Sequence, residues 1–368
     1  VTYLVVESLI RSHLEALSST QQGAIQRLRY ESGPLVIIGM ALTGFELSGV
    51  LLGSGAGGMI LMLALLPAIP ILTLGLWLDR NEPEPAWLLY RSFLWGACVA
   101  TVVAGIGNTV VASVLGQTFA LVGSAPVLEE LMKGAALLWV MQRHPSHMDG
   151  RLDAVIYALF VGLGFAVVEN VQYYGEALAT QGVAGLTTTV ILRGVFTPML
   201  HPLFTLATAI GIVTGIRHGG ASRMGLPFMG FAVAVCLHAL WNSGIGMMLY
   251  PILGVPLFLM VAILAIQESR TEGARLTHVV RQGIAHGWFP ADAEARLGLQ
   301  SKVRLRDWMA AASDPTHPVH ERWRDRRLVW LLASEEAAAR LALTDPHLVA
   351  TVPMVQSVAG DMLRRRFT

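Results

Sequence analysis

The feature that most constrains this chain is a succession of long apolar runs, at about residues 35–53, 58–78, 87–115, 119–141, 153–173, 188–217, 225–249 and 251–268. Each covers roughly 17 to 30 residues, enough to cross about 30 Å of hydrocarbon at about 1.5 Å per residue. A water-soluble fold cannot bury so many of them. The expected class is therefore an all-α polytopic membrane protein with about eight transmembrane helices and a small helical cytoplasmic tail. Composition agrees: the chain is 54% hydrophobic and 14% charged, against roughly 25% charged in soluble proteins. These values exclude a secreted disulfide scaffold, a disordered chain and a nucleic-acid binder. Cys98 and Cys236 both fall in apolar runs and are expected to be small core residues.

Arginines set the expected orientation. Arg11, Arg27 and Arg29 precede the first run, and Arg80, Arg91, Arg143, Arg151, Arg217 and Arg223 follow the second, fourth and sixth. The alternate connections carry none. Eight spans with both termini in the cytoplasm satisfy this pattern. Three regions follow: a polar cytoplasmic segment over 1–34, which lacks the n-region and h-region of a leader, a membrane core over 35–268, and a cytoplasmic helical tail over 269–368. In the tail, helical periodicity over 274–285, 303–312 and 318–342 is interrupted at Pro290, Asp314–Pro318 and Asp345–Pro346.

Function is carried by ionisable groups inside apolar runs, each costing roughly 2.5–3.5 kcal/mol at mid-membrane. The fourth run contains Ala125-Pro126-Val127-Leu128-Glu129-Glu130-Leu131-Met132-Lys133, and the fifth Phe165-Ala166-Val167-Val168-Glu169-Asn170. The sixth contains Arg193 and His201, and the seventh His238-Ala239-Leu240-Trp241-Asn242. At i,i+3 and i,i+4 spacing Lys133 can meet Glu130 and Glu129, and His238 shares a face with Asn242. Pro198 and Pro202 predict a bend in the sixth helix beside His201. Counted from the outer ends, Glu129 lies roughly 15 Å deep, Glu169 roughly 6 Å, His201 roughly 20 Å and His238 roughly 16 Å. One wet site opening outward is expected.

Two glutamates can supply a base with separated proton affinities, the histidines can shuttle protons, and Asn242 can donate to an oxyanion. Alternatively, His201, His238 and Glu130 supply three ligands for zinc or another divalent metal; the residues alone leave metal and metal-free chemistry both open. No HExxH and no GxSG setting is present. A transporter or proton relay could use the same Glu, His and Lys side chains, but its expected internal symmetry is missing from 35–115. The blander readings are a buried ion pair for Glu129, Glu130 and Lys133, and a core histidine for His201. Arg193 would snorkel or pair with Glu176 or Glu169. Asp79–Pro85 reads as a structural cytoplasmic loop.

Taken together and in order, Glu-Glu-x-x-Lys after Ala-Pro, Phe-x-x-x-Glu-Asn, a histidine in the next helix and His-x-x-Trp-Asn resemble the PrsW family of intramembrane proteases. Asp79-Arg80-Asn81-Glu82-Pro83-Glu84-Pro85 also resembles a segment of such chains, so the resemblance spans about residues 70–250. It implies a multi-pass protease of the bacterial cytoplasmic membrane that cuts a membrane-anchored, anti-sigma-factor-like protein in or near the outer half of the bilayer. Its implied site residues are Glu129, Glu130, Lys133, Glu169, His201, His238 and Asn242, acting in either metalloprotease or glutamate-type chemistry.

Overall fold

The computed structural model describes residues 33–53, 55–144, 147–148, 150–285, 291–297 and 299. Among them every regular element is helical. In chain order these are α1 (Gly33–Gly53), α2 (Gly57–Leu65), α3 (Ala68–Leu78), α4 (Ala86–Leu115), α5 (Ala125–Arg143), α6 (Arg151–Val190), α7 (Leu200–His218), α8 (Ser222–Asn242), α9 (Val255–Ala285) and α10 (Ala293–Arg296). The tail stretches 303–312 and 318–342 lie outside the described residues, while 274–285 falls within α9.

Among the described residues six helical stretches are long and apolar enough to cross a membrane: Leu35–Gly53, Gly57–Leu78, Ala86–Leu115, Arg151–Ile216, Ser222–Asn242 and Ile252–His278. Two differences separate them from the eight expected runs. Helix α5 carries Glu129, Glu130, Lys133 and Arg143, a polar load that removes it from the apolar set. The fifth and sixth runs lie together in Arg151–Ile216, interrupted within α6 at Gly182, where φ is +66°. That left-handed value suits glycine, which has no Cβ to clash. Helix α6 therefore continues to residue 181, about 12 residues and ~18 Å beyond Glu169. The expected depth of roughly 6 Å for Glu169 is counted from a helix end at Tyr173, and the helix does not end there.

The fold divides into two units. The larger, which among the described residues runs from Gly33 to Leu76 and from Ala86 to Ala265, is organised around α6, which is buried along most of its length. Asp153 starts this helix by accepting a hydrogen bond from the Gly150 amide at 2.7 Å, satisfying one of the donors a helix start leaves open. The surrounding helices turn apolar side chains outward: Phe45 is 81% exposed and Val114 75%. Facing lipid, these surfaces need no partner. Cys98 is buried, but Cys236 is exposed, so only the first is a core residue; the second sits on the outward face of α8.

Without a hydrophobic force between helices in lipid, close backbone approach through small residues supplies much of the packing. A Cβ on Gly96 would collide with the Val161 carbonyl, and one on Gly164 with that of Phe93, so α4 and α6 interlock through reciprocal glycines. Gly162 lies against the Pro202 and His201 backbone, drawing α7 onto α6. Trp95 Nε1 donates to the Met132 carbonyl at 2.9 Å, fixing α4 against α5 one residue before Lys133.

Among the described residues the smaller unit contains Trp77–Pro85 and residues of the chain from Ile266 to Leu299. Ser269 Oγ donates to the Leu78 carbonyl at 2.7 Å, and Asn81 Nδ2 donates to the Ser269 carbonyl at 2.5 Å. Glu84 closes its own turn by donating its amide to Asp79 Oδ2 at 2.7 Å. The 79–85 segment is thus a hydrogen-bonded clasp.

Candidate active site

Helix α5 provides the first three groups. Pro126 lies in its opening turn, directly after the π-helical stretch Ala120–Ser124, and its missing amide proton leaves a carbonyl of that stretch to other donors. One turn later Glu129, Glu130 and Lys133 are buried to 7%, 1% and 0% exposure. Lys133 Nζ lies 2.9 Å from Glu130 Oε1 and 3.7 Å from Glu129 Oε2. The ammonium also sits 3.9 Å from the centre of the Phe165 ring on α6, an added electrostatic contact for a desolvated cation.

Helix α7 brings His201 to this cluster. Its Nδ1 is 2.9 Å from Lys133 Nζ, and its Nε2 is 2.6 Å from Glu169 Oε2. An ammonium can only donate, so Nδ1 accepts and Nε2 carries the proton given to Glu169; the tautomer is assigned from these partners. The bend expected at Pro198 and Pro202 is a break of the helix, with a π-helical stretch Ile191–Phe196 before it and α7 starting at Leu200 after it.

Helix α8 contributes His238, 2% exposed. Its Nδ1 is 3.0 Å from Glu130 Oε1 and its Nε2 3.6 Å from Glu129 Oε2. Phe204 stacks on this imidazole at 4.9 Å between ring centres. The two adjacent glutamates are therefore unequal. Glu130 is saturated by Lys133, His238 and a long 3.5 Å contact from Thr205. Glu129 Oε2 is buried with no hydrogen-bond partner among the described residues.

One ligand atom each from Glu129, His201 and His238 lies within 4.8 Å of the others. A carboxylate and two imidazoles form the donor set of a catalytic zinc centre, and the unpartnered Glu129 oxygen faces that space, so the residue types fit a divalent metal, which would take the His201 Nδ1 lone pair now held by Lys133. The sequence pairs Glu130 with the histidines as ligands; the spatial group contains Glu129 instead, because Glu130 is spent on Lys133 and His238. Glu130 holds the His238 imidazole through Nδ1 at 3.0 Å.

Glu169 and Asn170 meet Arg193, whose Nε donates to Asn170 Oδ1 at 2.7 Å and whose Nη2 pairs with Glu169 Oε2. Arg193 also stacks over Tyr173 at 4.1 Å. A pocket lined in part by Asn170, Arg193, Thr197, Pro198, His201 and Trp241 opens beside His201. Asn242 Nδ2 donates to the Leu121 carbonyl at 2.9 Å, so this amide is engaged outside the carboxylate–imidazole cluster. Glu46, isolated in the sequence, accepts from Gln172 Nε2 at 2.6 Å. Thr205 and Phe204 were not singled out by sequence. Thr205 had a usable signal, a polar residue one turn after His201, whereas a phenylalanine in an apolar run carries none.

This arrangement is a buried carboxylate–imidazole cluster within a set of long apolar helices. Residues 84–267 match the family described as PrsW family intramembrane metalloprotease, and the chain belongs to that family. Relatives include the Protease PrsW of Oceanobacillus iheyensis, 27% identical over 188 residues, covering 50% of this chain and 81% of the relative. The Protease PrsW of Geobacillus kaustophilus is 28% identical over 182 residues, with coverage of 48% and 69%. That of Clostridioides difficile is 27% identical over 193 residues, with coverage of 49% and 77%. No solved structure matches the chain. The protein is thus a multi-pass membrane protease.

Proposed function

We propose that this protease hydrolyses a peptide bond of a membrane-anchored, anti-sigma-factor-like protein within or near the outer half of the bacterial cytoplasmic membrane. In this reading the chain crosses eight times, α5 included, and both termini and the 269–368 tail are cytoplasmic. The observation that carries it is the convergence of Glu129, His201 and His238 from three helices on one buried space, with a Glu129 oxygen left unpartnered.

Glu129 takes a proton from water as its oxygen attacks the scissile carbonyl. Glu130 and Lys133 hold His238 and His201 in place and supply compensating charge. Lys133 stabilises negative charge developing on the substrate oxygen. Asn242 adds an amide donor once it leaves the Leu121 carbonyl. The C–N bond then breaks, and the proton held by Glu129 passes to the departing amine. Glu169 keeps its hydrogen bond to His201 throughout. A divalent metal held by His201, His238 and one oxygen of Glu129, the other oxygen being left to take the proton, would supply Lewis-acid polarisation of water and of the carbonyl.

The test is cleavage of a fluorogenic transmembrane peptide in proteoliposomes by wild type, Glu129→Ala, Glu130→Ala and His238→Ala. All three variants should insert and lose turnover. Wild-type turnover in all three would reject this site.

A further inference from the structure

Arg193 has a place in the site that neither snorkelling nor simple charge compensation explains. Its side chain is 14% exposed and ends on two consecutive residues of α6, donating to Asn170 and pairing with Glu169. The Tyr173 ring closes a third side. The Glu169 oxygen that it grips, Oε2, is the one that bonds His201 Nε2. Arg193 and His201 flank the break between the π-helical stretch and α7, so one carboxylate oxygen ties both sides of that break to α6.

We propose that Arg193 is a positioning residue for His201, acting through Glu169. A carboxylate bound only by an imidazole could rotate about its own side-chain bonds. Clamped by a guanidinium held at three points, it presents Oε2 in one direction. His201 must then place its proton on Nε2 and keep the Nδ1 lone pair, held by Lys133 in this structure, as the nitrogen a metal would take, since the bond made by one ring nitrogen sets the state of the other. Outer partners of ligand histidines typically change metal affinity or activity 10–100-fold when removed. Lysine cannot replace the fork, because a single ammonium lacks its paired planar donors. The inference rests on the metal reading above, and its test separates the two.

Zinc affinity would be measured by chelator competition on detergent-purified wild type, Arg193→Gln and Arg193→Lys, with unfolding temperature in parallel. The expected result is 10–100-fold weaker zinc binding in Arg193→Gln and an intermediate loss of at least about 3-fold in Arg193→Lys. Unchanged affinity in Arg193→Gln overturns the proposal; if that variant does not fold, unchanged affinity in Arg193→Lys does so. Wild type that takes up no zinc defeats the metal reading instead. Ring-15N histidine spectra of the metal-free proteins then decide the role of Arg193. A single Nε2–H tautomer of His201 that becomes mixed in the variants supports it, and an unchanged spectrum overturns it.

Discussion

Gly162 and Pro202 touch backbone to backbone: a Cβ placed on Gly162 would come 2.5 Å from the Pro202 nitrogen and 2.8 Å from the His201 carbonyl carbon. No side chain yields at that contact, so the helix bearing His201 reaches the helix bearing Glu169 only because residue 162 has no side chain. Gly162→Ala should destabilise the protein by ~1–3 kcal/mol through overpacking and lower cleavage by displacing His201. Unfolding temperature and peptide turnover measured on the same preparation check both effects.

The two adjacent glutamates should separate by phenotype. Glu129→Gln removes a base whose outer oxygen has no hydrogen bond to lose, so turnover should fall ~10²–10⁴-fold while stability changes by no more than about 1 kcal/mol. Glu130→Gln leaves the buried Lys133 ammonium without its close counter-charge and should cost ~3–5 kcal/mol. Chemical denaturation in mixed micelles beside kinetics distinguishes them; equal stability losses would contradict the division of labour.

Metal removal gives a third expectation. Dialysis against a zinc chelator should abolish turnover, and added zinc should restore it. At a zinc concentration about 100 times Kd, binding should stabilise the wild type by ~2.7 kcal/mol. His238→Ala, lacking one donor, should show neither the restoration nor the thermal shift.

Asn81→Ala tests the smaller unit alone. The hydrogen bond from Asn81 to the Ser269 carbonyl should be worth about 1 kcal/mol. Its loss should increase proteolytic nicking of the 79–85 segment without changing turnover of a short transmembrane peptide. Limited proteolysis followed by mass spectrometry locates the cut.

Much of this site was legible in the sequence because charged groups are costly in apolar segments and so stand out. Glu129, Glu130, Lys133, Glu169, His201 and His238 all announce themselves in that way, and i,i+3 and i,i+4 spacing pairs Lys133 with both glutamates. What spacing along one helix cannot give is contact between helices. It does not say that His238 bonds Glu130 closely and Glu129 at longer range, nor that Arg193 chooses Glu169 over Glu176. The span count suffered from the same polar residues that revealed the site, since they lower the apolarity of α5. The extension of α6 past Tyr173 was hidden because Tyr174–Gln181 is polar enough to read as a connection, and only the conformation of Gly182 marks the turn.

Three π-helical stretches adjoin this machinery: Trp95–Ala100 holds the tryptophan that grips Met132, Ala120–Ser124 offers the Leu121 carbonyl to Asn242, and Ile191–Phe196 carries Arg193. A π turn accommodates one residue more than the α ladder around it. Adding or deleting a single residue in the regular α turns beside them, where no π turn absorbs the change, would rotate everything beyond by about 100°. A change of length between Arg193 and His201 would stop them facing the same oxygen. These helices should therefore accept many exchanges of residue type over evolution but almost no change in length, and insertions or deletions in relatives should collect in the connections between helices.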